Sequence, residues 1–95
     1  LRYDLLPWEV LEALATIYTY GLTKYPANTW QEVELERIKA AAMRHEVERD
    51  KGNLIDPESG YPHSFHSLWN RAVIAYHDAQ KLKDSDDWAR TTSYI

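Results

Sequence analysis

The stretch NTWQEVELERIKAAAMRHEVERDKGN, residues 28–53, constrains the fold more than any other part of the chain. Trp30, Val33, Ile38, Ala41 and Ala42 recur at helical spacing, Asn28 or Thr29 stands where a cap belongs, and Glu32 falls near the first turn. Lys51 and Gly52 supply a positive last turn and a left-handed stop. The spacing predicts a helix, and continuing its apolar stripe lands on His45. The face that should meet the core therefore ends in an imidazole.

Two further stretches carry the same period. PWEVLEALATIYTYGLTKY opens with Pro7 at a favourable first-turn position, aligns Leu11, Leu14, Ile17 and Tyr18, and is ended or loosened by Gly21. HSFHSLWNRAVIAYHDAQKL follows DPESGYP, with Ser59 or Tyr61 near its cap and Pro62 in its first turn. Its apolar stripe is Phe65, Leu68, Trp69, Ala72, Val73 and Tyr76. The expected architecture is all-α: a small three-helix domain over residues 1–82, followed by a tail, 83–95, without a clear period. In that tail Trp88 and Tyr94 suggest docking rather than free movement.

A chain of 95 residues makes one domain and buries only about two thirds of its unfolded surface, so its own core is marginal. A homo-oligomer that completes the helical bundle is expected. Four Trp and seven Tyr against three Gly argue for an ordered, packed protein. The absence of cysteine excludes disulfides, zinc thiolate sites and thiol nucleophiles. A net charge of -4 without a basic stripe speaks against polymeric nucleic acid as a partner. No apolar run approaches the roughly 20 residues that span a bilayer, and no leader pattern precedes a cleavage site, so no membrane partner and a cytoplasmic location are expected.

The chemistry gathers on the third helix. At about 100° per residue, His63, His66, Asn70 and His77 fall within roughly 60° of one another, beside the apolar stripe. Such a seam either offers nitrogen and amide oxygen donors to a metal or consists of groups that cap turns and face water. Asp56 and Glu58 in the preceding turn, with His45, converge on it if the second and third helices form an antiparallel hairpin joined by about ten residues. Glu9, Glu32, Glu34 and Glu36 read as solvated, and Glu12, beside Leu11 and Ala15, is kept as a candidate ligand. Glu46, Glu48 and Asp50, among Arg44, Arg49 and Lys51, read as a salt-bridged surface.

RYDLLP, YTYGLTKY with NTW, RH, and DPESG followed by H-x-x-H-x-x-x-N occur here in order. Over residues 2–77 this arrangement resembles the phage dATP/dGTP diphosphohydrolase N-terminal family, related to MazG-like all-α nucleotide pyrophosphohydrolases. The resemblance implies an oligomeric all-α fold that holds a divalent cofactor, Mg²⁺ or Mn²⁺, between helices. It implies cleavage of a purine deoxynucleoside triphosphate to monophosphate and pyrophosphate, in the host cytoplasm for a phage protein. Arg2, Tyr3, Asp4, Tyr25 and Ser59 fall on the family pattern. So do the implied metal ligands His45, Asp56, His63, His66 and Asn70, of which Asp56 and His66, with Glu58, form the catalytic set. Lys24 and Arg44 are the implied phosphate contacts, with Asn28 and Trp30 also at the substrate. Trp30 reads equally as a core anchor, and Arg44 as the partner of a neighbouring carboxylate. Pro26 stands where the family usually has Gly, and Asn53 where an acidic residue is common, which removes a potential ligand. The adjacent-Glu signature of the wider group is absent. Two other functions fit the same residues: a phage protein that binds or sequesters nucleotide without efficient turnover, and a structural oligomerisation module.

Overall fold

The computed structural model describes residues 1–83 and 85–92. Its main helices are α1, Trp8–Gly21; α2, Leu35–Asp50; α3, His63–Leu82; and α4, Asp86–Thr92. Single 3-10 turns at Tyr3–Leu5 and Trp30–Glu32 precede α1 and α2. No helix among the described residues is long and apolar enough to cross a membrane.

The all-α expectation holds, with corrections at element ends. Pro7 and Pro62 stand one residue before α1 and α3 as their N-caps, in extended backbone that suits proline. The stretch expected to start the second helix at Asn28 does not do so. Asn28 sits at φ 65, outside the extended geometry of an N-cap, and the Thr29 hydroxyl donates back to the Pro26 carbonyl at 2.8 Å. Trp30–Glu32 makes one tight turn, Val33 is extended, and α2 begins at Leu35. At the other end Gly52, φ 96, donates to the Arg49 carbonyl, and Asn53 N–H reaches Glu48 O at 3.0 Å, closing the predicted left-handed stop. The stretch after Leu82 is not without period: Asp86–Thr92 is a fourth helix against α3, with Trp88 half-buried. Tyr94 lies outside the described residues.

α3 packs against both α1 and α2. The short connection folds α3 back onto α2, where His45 meets His63 and Arg71 donates to Glu46. The apolar core is thin: Ala13, Ile17, Ile38, Ala42 and Val73 are its buried members among the described residues. His45, His63, His66 and Asn70 are buried with them. The two α3 faces thus share the interior, since His63, His66 and Asn70 of the polar seam are buried beside Val73 while Phe65, Leu68 and Ala72 are half-buried. In α1 Ile17 is inward as expected, joined by Ala13, whereas Leu11 is exposed.

Candidate active site

Pro57 and Gly60 bend residues 55–62 into a closed clip. Ile55 bridges Pro62, Asp56 N–H donates to Tyr61 O at 2.9 Å, and Gly60 N–H returns to Asp56 O at 2.8 Å. Gly60 carries φ 79, a left-handed geometry that glycine adopts without penalty. The clip feeds directly into α3, whose first N–H, from His63, bonds Leu54 O at 2.8 Å.

The clip delivers its side chains to the imidazoles. Ser59 Oγ lies 3.0 Å from Asp56 Oδ2 and 2.7 Å from His66 Nε2, and accepts from Tyr61 N–H at 3.1 Å. His66 Nε2 is itself 3.4 Å from Asp56 Oδ2. From α2, His45 stacks on His66, centroids 4.6 Å apart and planes within 12°, and its Nδ1 pairs with His63 Nδ1 at 2.8 Å. Tyr20 of α1 meets His66 edge-on. Three helices and the clip therefore fix one cluster.

Electrostatics follow from this enclosure. Burial, reinforced by His66, Arg44 and His63, pushes His45 down to about 4, so its ring is neutral at pH 7. Burial lowers His66 too, with Asp56 opposing and His63 and Lys24 adding to the effect. For Asp56 burial acts upward, but the Ser59 hydroxyl, the Glu58 amide and the facing imidazoles prevail and hold the carboxyl below its ordinary value. Glu58 is lowered by Lys24, whose Nζ lies 2.9 Å from Glu58 Oε1.

A cleft of about 780 Å³ opens over this cluster, a volume typical of small-molecule sites. Asp56, Glu58, His45, His63, His66 and Asn70 line one part of it. Lys24, Asn28, Trp30, Tyr25 and Arg44 line other parts, so the expected metal, catalytic and substrate residues, Glu12 excepted, reach the same cleft. Trp30 also serves as the core anchor, edge-on to Tyr18 at 5.5 Å and Tyr76 at 4.8 Å. Arg44 stands close enough to depress His45 and Glu58. Glu12 and His77 do not line the cleft. Glu48 does, while also making the expected surface ion pair with Lys51; its carboxylate accepts from Asn53 Nδ2 at 2.8 Å. Its position one turn after His45 was the available signal. Tyr20 and Arg37 are further lining residues that helical period alone did not single out.

Among the described residues, no three His, Asp or Glu side chains converge as a metal-holding group. The imidazoles are instead turned to one another and to Ser59. Asp56 is the oxygen donor that fits a hard ion, because such ions are commonly held by one or two carboxylates and complete their shell with water and phosphate oxygens.

The family model for the N-terminal domain of dATP/dGTP diphosphohydrolases matches residues 1–87. The chain belongs to this family. A relative from Salmonella phage PMBT28, named dATP/dGTP diphosphohydrolase, is 36% identical over 56 residues, which are 59% of this chain and 19% of the relative. The chain thus spans less than a fifth of the length of the diphosphohydrolase it matches. No solved structure matches it. Both the family and this relative are named for diphosphohydrolysis of dATP and dGTP.

Proposed function

We propose that this cleft binds a purine deoxynucleoside triphosphate and supports its metal-dependent hydrolysis to monophosphate and pyrophosphate. The observation that carries the reading is the meeting, in one cleft, of Asp56 and His66, bridged by Ser59, with the cations Lys24 and Arg44. Carboxylate and imidazole suit activation of water, and cations suit the phosphate chain. Asp56 would hold a divalent ion, Mg²⁺ or Mn²⁺, which when bound neutralises the charge of the departing pyrophosphate. Lys24 is already turned to the cleft by Glu58 and binds phosphate oxygens once that exposed pair exchanges partners. Trp30 and Tyr25 offer aromatic faces to the base, and the larger purine covers more of them.

Purified protein offered each ribo- and deoxynucleoside triphosphate, with Mg²⁺, with Mn²⁺ or with chelator, tests this directly. Monophosphate and pyrophosphate should appear with purine deoxynucleotides and metal. Equal turnover of pyrimidines would remove the purine assignment, and turnover in chelator would remove the metal. One observation favours a second reading: the His45 and His63 nitrogens are engaged with each other. A protein that sequesters nucleotide keeps the cleft and needs no free imidazole. Tight nucleotide binding without product would establish it.

A further inference from the structure

We propose that Ser59 is a positioning residue that fixes the tautomer of His66, keeping the proton on Nε2 and leaving Nδ1 as the ring's lone-pair nitrogen. The inference comes from counting protons around one oxygen. Ser59 Oγ has three neighbours at hydrogen-bond distance: Tyr61 N–H at 3.1 Å, Asp56 Oδ2 at 3.0 Å and His66 Nε2 at 2.7 Å. A hydroxyl offers one proton and two lone pairs. The Tyr61 amide can only donate, so it takes one lone pair. An ionised Asp56 can only accept, so it claims the hydroxyl proton. The remaining lone pair of Ser59 is then left for His66, and Nε2 must bring its own hydrogen. In the opposite arrangement Ser59 donates to Nε2, and the Asp56 oxygen faces a bare lone pair at 3.0 Å in a half-buried place, where an unmade hydrogen bond is costly.

The surroundings hold the ring in the plane this bonding needs. His45 is stacked on one side of His66 and Tyr20 meets it edge-on. In a neutral imidazole, protonation of one nitrogen means that the other is free of a proton. Any water or ligand group that His66 accepts from must therefore use Nδ1. Among the described residues Nδ1 makes no hydrogen bond of its own. Ser59 acts only through His66 and Asp56, and touches neither water nor phosphate in this scheme.

The catalytic consequence rests on the proposed hydrolysis, but the tautomer does not. Long-range ¹H–¹⁵N correlation on histidine-labelled protein at pH 7.5 reads it directly, with His66→Gln assigning the ring. The wild-type ring should show a protonated Nε2 and an unprotonated Nδ1. In Ser59→Ala the Nε2 proton should exchange faster with water and the tautomers should mix, whereas Ser59→Thr should keep the wild-type pattern. A wild-type Nδ1–H ring, or an unchanged Nε2–H signal in Ser59→Ala, overturns the proposal. Should Ser59→Ala fail to fold, the wild-type spectrum still decides. Where hydrolysis is measurable, Ser59→Ala should lose on the order of 10- to 100-fold in kcat with little change in KM, and Ser59→Thr should recover most of it. Absence of hydrolysis with an Nε2–H ring defeats the function and spares this assignment; hydrolysis with an Nδ1–H ring does the reverse.

Discussion

His45 has a folded pKa of about 4 against an ordinary imidazole value of about 6.5, so between those values the unfolded chain binds the extra proton. Its contribution to stability is complete above pH 6.5 and is lost as pH falls toward 4. Urea unfolding at pH 7.5, 6.0 and 5.0 should show a falling midpoint, with a shallower slope in His45→Gln. A flat wild-type profile would contradict the neutral buried ring. At the same scale, Asp56→Ala and His66→Ala should each lower metal-dependent hydrolysis at least about 100-fold while far-UV circular dichroism stays near wild type. His77→Ala, on the same flank of α3 but off the cleft, should leave turnover within about twofold. If His66→Ala also lost its helical signal, the imidazole would be a structural group and its catalytic role would fall. The periodicity of α3 placed these imidazoles on one flank, because helical angle depends on sequence separation alone. The Nδ1 pairing of His45 with His63 was not legible, because it depends on side-chain rotamers and on the register of α2 against α3.

Among the elements, the clip at 55–62 and the α2 stop make a controlled comparison. Gly60 and Gly52 both have positive φ, and a Cβ built on either meets nothing within 4 Å. Alanine at each should therefore cost backbone strain alone, about 1 kcal/mol, or roughly 4–8 °C in Tm. Activity should separate them: Gly60→Ala shifts the turn that carries Asp56 and Ser59, whereas Gly52→Ala loosens a helix end. Thermal melts beside hydrolysis assays check this, and equal activity losses would mean that the clip's shape does not matter to the site. The turn and the stop were readable because Pro57, Gly60 and Gly52 impose local geometry. The start of α2 was not, since Trp30 obeys the helical period yet is held by Tyr18 of α1 and Tyr76 of α3. Tertiary packing overrode local preference there. The burial of α3 was also unreadable in part, because facing α2 with a polar seam requires groups on both helices to satisfy each other.

For the whole molecule, the thin core leaves much apolar surface uncovered. Leu5, Leu6, Trp8 and Leu11 are exposed around the start of α1, with Trp8 at 75%. A second copy of the chain covering this surface would give the homo-oligomer expected from length. Light scattering at micromolar concentration should give a mass above one chain, and Trp8→Glu should lower it; a wild-type monomer would exclude the arrangement. The distribution of indoles has another consequence. Trp30 and Trp69 stand on the cleft wall, while Trp8 lies away from it, on the surface left for a second copy. The molecule therefore carries its own optical reporter: a base laid against Trp30 should quench the emission from the wall and leave that of the indoles away from the cleft, Trp8 and Trp88, as a reference. Occupancy of the cleft can then be followed by colour as well as by intensity, without a label and without waiting for turnover.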